Sequence, residues 1–171
     1  GMMLERARRS DEAIERLERS LVVALELGDL KSEFVRMHLG TTLTRAGYPG
    51  RARPHLERSL EIAHQMGDRY LESVAAWAAA EMEDALGNYA AAAEMRRREL
   101  ALLASIGGNP HNEAFSHAHL AHLARLTGDG AEAESEAAAA RRLAAASPHA
   151  GYAARIEEAL TVERWADLET G

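Results

Sequence analysis

The sequence contains no cysteine, which excludes disulfides, thiol nucleophiles and cysteine-ligated zinc and agrees with a reducing compartment. Aromatic residues are 5% of the 171 and proline occurs four times, so residues that favour strands and residues that break helices are both scarce. No apolar run approaches the roughly 20 residues a membrane-spanning helix needs, and the opening GMMLERARRS has no apolar centre of the signal-peptide kind. A cytoplasmic location without membrane contact is the expectation. Basic charge is short as well: Lys31 is the only lysine, and the formal net charge is -7. A nucleic-acid backbone is bound by a basic surface that releases counterions, so no direct nucleic-acid partner is expected.

What is present is alanine, arginine and leucine, with 47% hydrophobic and 27% charged residues, a composition suited to one all-α domain with a real core. The domain is read over residues 1–171, with Gly1 before Met2-Met3 set aside as a tag remnant. The alanine and arginine bias points to a GC-rich bacterial genome.

Apolar spacing predicts eight helices, over about 10–27, 30–46, 51–66, 69–86, 89–106, 111–127, 131–146 and 150–168. Asp29 is an N-cap candidate, Tyr48-Pro49-Gly50 a turn, and Pro110 sits where a helix can begin but not continue. Helix seven carries Leu143 as its only large apolar residue, so it either packs very closely or packs little, and a thinner core is expected there. The pattern repeats. Leu21, Leu60 and Leu100 correspond, as do Gly28, Gly67 and Gly107, at offsets of 39 to 41 residues. A fixed period in this range marks a helical solenoid, whose repeats bury their apolar faces by stacking.

The segments HLGTTLTRAG and HLARLTGD, followed five positions later by Ala52 and Ala133, resemble tetratricopeptide repeats. Leu39-Gly40, Ala79-Ala80 and Leu120-Ala121 take the paired position, Gly47, Gly87 and Gly128 the turn, and Ala52, Ala92 and Ala133 the close helix contact. The period is similar to the longer variant found in polarity scaffolds and in regulatory regions of bacterial transcription activators. The resemblance implies a right-handed solenoid of about eight antiparallel helices in three to four hairpins. With Ala13 in the small-residue position, helix one becomes the second helix of a repeat whose first is missing, and the chain a fragment of a longer protein. Its face of Ile14, Leu17, Leu21 and Leu25 then needs cover, either from a homodimer through residues 10–27 or from residues 2–9 folding back as a stub.

The same resemblance implies that the first helix of each repeat lines a concave groove. Its rows are Phe34, Val74 and Phe115; Met37, Trp77 and Ala118; Thr41, Glu81 and His122; and Thr44, Asp84 and Arg125. An apolar floor with an acidic lip suits an apolar or amphipathic protein segment with some basic character. Glu81 with His122 and Asp84 with Arg125 are expected as cross-repeat pairs, and Arg96, Arg97 and Arg98 as a solvated face.

No phosphate loop, nucleophile elbow or HExxH pattern occurs. His119 and His122 share a helix face, but His117 points about 160° away from them, so three imidazoles do not converge and neither metal nor cofactor is expected. The reading is a non-catalytic protein-interaction module of a bacterial regulator. The alternative is a small-molecule or signalling-peptide sensor of a transcriptional activator, marked by a closed pit around Trp77 and His122.

Overall fold

Helices form wherever the apolar period runs uninterrupted, and they stop at the expected punctuation. The computed structural model describes residues 2–27, 32–149 and 151–168, and those residues are helical with no strand. The elements are α1 (Met2–Glu26), α2 (Ser32–Arg45), α3 (Pro49–Met66), α4 (Arg69–Ala85), α5 (Tyr89–Ser105), α6 (Pro110–Thr127), α7 (Gly130–Ala145), α8 (Tyr152–Thr161) and a 3-10 turn, η1 (Trp165–Asp167). Asp68, Asn109 and Asp129 each accept the amide of the third residue onward, which satisfies one of the donors a helix start leaves free. Gly67 closes α3 in the left-handed conformation at φ 66°, a geometry glycine adopts without strain. No described helix is long and apolar enough to cross a membrane.

Three boundaries differ from the sequence reading. Residues 2–9 continue α1 instead of folding back as a stub, because LERARR is made of helix formers with neither Gly nor Pro to turn the chain. The last helix stops at Thr161, not at 168, and Val162 turns extended at φ -61°, ψ 138°. Tertiary packing of Trp165 overrides helix propensity there. The third helix begins at Pro49, within the expected Tyr48-Pro49-Gly50 turn, because a proline in the first helical turn has no N–H to leave unpaired. The Asp29 cap lies outside the described residues.

Consecutive helices pack in pairs, and α2 also meets α4 while α6 meets α8. Two apolar cores result. The first joins α1 to α4 through Ile14, Leu21, Met37, Leu39, Leu43, Leu56, Leu71 and Met82. Gly40 allows this closeness, since a Cβ there would lie 2.5 Å from a Leu56 methyl. The second core joins α6, α7, α8 and η1 through Ala114, Ala118, Ala121, Ala137, Ala140, Tyr152, Ile156 and Trp165. The alanine-rich α7 therefore packs closely against α6, with Ala133, Ala137, Ala140 and Ala144 buried at helical spacing. On α1, Leu21 and Ile14 are buried, whereas Val22, Val23 and Leu25 face solvent.

Candidate functional site: a buried charged layer beneath Trp165

Between the two cores α4 and α6 stand apart, bridged from behind by α5. The stripe that α5 turns inward is Ala92, Arg96, Glu99 and Leu103, so two of its four core positions are charged. Arg96 is 0% exposed. Burying a guanidinium without partners costs several kcal/mol, and the partners are close by. Its Nε donates to Nδ1 of His119 at 2.7 Å, and Nη1 donates to Oε2 of Glu99 at 2.9 Å. Ser116 donates its hydroxyl to the same Glu99 oxygen at 2.9 Å. Nη2 has no hydrogen-bond partner and lies 3.7 Å from Oε1 of Glu81.

His119, also 0% exposed, completes the layer. A guanidinium only donates, so Nδ1 of His119 accepts, and the imidazole proton sits on Nε2. Nε2 then donates to Oδ2 of Asp84 at 2.9 Å. Burial, with help from Arg96 and His122, pushes the His119 pKa well below its usual range, so the ring is neutral. Burial pushes Asp84 up to about 6; Glu81 adds to the rise and Arg96 opposes it. Glu99 is also raised by burial, against the pull of Arg96 and Ser116. Three carboxylates thus gather around one buried guanidinium. At the rim Arg45 approaches Glu81 to 3.6 Å and lies 5.6 Å over the Trp77 ring.

Above the layer sits Trp165, only 7% exposed. Its ring stacks on His119 at 4.1 Å between centroids and 11° between planes, and lies 5.9 Å from His122. Burial and Arg125 lower the His122 pKa, and the nearby Val162 backbone opposes them. The segment 162–168 therefore leaves α8, crosses α6 and reaches α4.

Of the residues expected to line a groove, Met37 is buried in the first core, and Val74 and Trp77 pack partly buried against it. Thr41 hydrogen-bonds back to the Met37 carbonyl at 3.0 Å. Phe34 is 46% exposed. Phe115 belongs instead to the α6–α8 end, edge-on to Tyr152 at 5.9 Å with Arg155 over its ring. The expected ion pairs are replaced: Asp84 meets His119, not Arg125, which is exposed, and Glu81 faces Arg45 and Arg96, not His122. The solvated arginine face is corrected at Arg96, while Arg97 stays exposed as expected. Successive residues turn 100° around a helix, so Arg96 enters the core, Arg97 reaches Glu132 and Arg98 reaches Glu72. His117 turns to Glu136 on α7.

Both ring nitrogens of His119 are thus engaged within the layer, which leaves its two faces for interaction. An open cleft of about 430 Å³ lined by His111, His149, Tyr152 and Arg155 lies at the α6–α8 end, away from Trp77. Sequence reasoning missed Arg96, Glu99, Ser116 and Trp165. The signal for the first two was the 92-96-99-103 stripe, whose spacing is that of a core. No protein-family model matches the chain, and neither a curated protein nor a solved structure is detectably similar to it.

Proposed function

We propose that this chain is a non-catalytic binding module, a right-handed stack of tetratricopeptide type that holds a protein segment across the face of α2, α4 and α6. The observation that carries the reading is the seat of residues 162–168. A short stretch outside the α-helices with one aromatic anchor already lies on that face, its ring stacked on His119 and 5.9 Å from His122. A surface that receives such a segment from its own chain has the shape and chemistry to receive one from a partner. Glu81, which meets Arg45 at the rim, favours a partner with basic residues. A regulatory role in the bacterial cytoplasm fits the repeat pattern and composition.

The test is selection of peptides from a displayed random library on the immobilised chain, followed by fluorescence polarisation with Phe34→Glu and Arg45→Glu. Both residues are exposed, so these variants are expected to fold. Micromolar binding that weakens about tenfold or more in Phe34→Glu, about 1.4 kcal/mol, or that strengthens in Arg45→Glu, which adds negative charge beside Glu81, supports the reading. Binding unchanged in both variants refutes it.

A further inference from the structure

The segment 162–168 does more than close the end of the stack. A terminal cap needs to cover only the helix it follows, and α8 already does so by packing on α6 and α7. The chain continues past that cap and places Trp165 over the space between α6 and α4. The ring beneath it is preorganised. Arg96 holds one edge of the His119 imidazole and Asp84 the other, so the ring plane is locked and only its flat faces are available. A neutral ring fixed in this way meets a ligand by stacking, and a flat aromatic group is the shape that stacks.

The hold on the segment is concentrated in one side chain, Trp165. Its backbone hydrogen bonds are local, from Val162 to Glu158, from Asp167 to Arg164 and from Leu168 to Trp165. It is attached to the helices through the Trp165 ring and the partly buried Val162 and Leu168. Glu163, Arg164 and Asp167 face solvent, and the Arg164–Asp167 pair at 3.8 Å lies within the segment itself. A segment held chiefly through one ring opens as a unit when that ring leaves, at lower cost than separating a helix pair.

We propose that the His119 platform between α4 and α6 is a recognition site for a protein segment anchored by a tryptophan or another flat aromatic residue, and that residues 162–168 are its built-in competitor. The inference rests on the binding-module reading above and adds the partner's anchoring chemistry and the device that opposes it. A tethered competitor acts at an effective concentration on the order of millimolar, and the affinity seen by an outside segment falls by the fraction of chains with the seat open. Removing Trp165 removes the competitor.

The test titrates the full chain, wild type and Trp165→Ala, with a labelled peptide of sequence LTVERWADL, copied from residues 160–168. Fluorescence polarisation should give a dissociation constant at least about tenfold lower for Trp165→Ala than for the wild type. A peptide with leucine in place of its tryptophan should bind the variant about tenfold more weakly or worse, while phenylalanine should keep part of the affinity. Equal binding to both chains, or no binding to a folded Trp165→Ala at millimolar peptide, overturns the inference. If that variant does not fold by circular dichroism, Trp165→Leu takes its place: it keeps apolar bulk over the cleft, loses the stack, and should bind the peptide more tightly than wild type. Equal affinity there overturns the inference as well. Library peptides that respond to Phe34→Glu but not to Trp165→Ala refute the competitor and leave the binding-module reading standing. Failure of every peptide on every variant refutes both.

Discussion

The two halves of the molecule solve the same packing problem with different residues. In the α1–α4 half leucine and methionine supply most of the bulk, with Ala52, Ala63 and Ala78 buried among them, and Gly40 lets α2 approach Leu56 closely. In the α6–α8 half alanine supplies the approach along whole helix faces, and bulk comes from Tyr152, Ile156 and Trp165. Burial energy scales with apolar area. The first half therefore gains from large side chains, and the second from many small contacts plus a few aromatic rings. Between them the chain places charge where apolar residues would pack. An apolar layer would hold the halves together at least as well, so the retention of Arg96, Glu99, His119 and Asp84 at a packed interface is a specification of something other than stability. The stacking platform under Trp165 is what that specification builds.

Replacing Arg96 with Met should be the most damaging single change, at about 3 to 5 kcal/mol, because Glu99 stays buried without its cation. Adding Glu99→Leu should recover a large part of the loss. Urea unfolding of the single and double variants measures both, and a double variant no more stable than the single one contradicts the account. The two cores should then fail in opposite ways. Leu56→Ala hollows the first and should cost about 2 to 5 kcal/mol. Ala140→Val overfills the second, where α6 and α7 leave the residue 0% exposed, and should cost about 1 to 3 kcal/mol. Thermal melts of the pair decide whether the halves differ in this sense. Tolerance of Ala140→Val with no loss of stability means that the alanine interface is not tight.

Much of this comparison was legible in the sequence. The helix count, the turns at Gly67 and Gly128 and the small-residue positions follow from local rules, because propensity, spacing and capping act within one turn of helix. The site was less legible. Spacing put Arg96 and Glu99 on the inward stripe of α5, but a run of three arginines between glutamates looks like a surface, and nothing local reveals that His119 and Ser116 wait on the next helix. The rows that aligned α2 with α4 and α6 assumed equal spacing between repeats. Met37, Val74 and Trp77 are instead drawn into the α2–α4 contact, while α4 and α6 part to admit Trp165. The end of α8 is lost for the same reason, since the pull on Trp165 comes from residues more than forty positions upstream.

The smallest effect is in the pH dependence, and it separates the two ends of the hydrogen-bonded chain through His119. Asp84 has an ordinary pKa of 3.8, raised in the fold to about 6. Between those values the folded chain holds a proton that the unfolded chain has released. Asp84 thus adds stability at low pH that is lost as pH rises through about 6. His119 acts in the opposite sense. Its pKa is lowered from 6.5, so below that value the unfolded chain takes up a proton that the folded chain refuses, and stability falls as the solution is acidified. Over the window from about pH 6.5 to 5 the two oppose each other, each bounded by about 1.4 kcal/mol per pH unit. Asp84→Asn should therefore make the acid loss of stability steeper. His119→Gln should make it shallower, and its amide can still accept from Arg96 and donate to Asp84. Urea midpoints at three pH values across this window test the pair. Slopes that move in the same direction in the two variants mean that the proton on the platform ring is not where the hydrogen bonds place it.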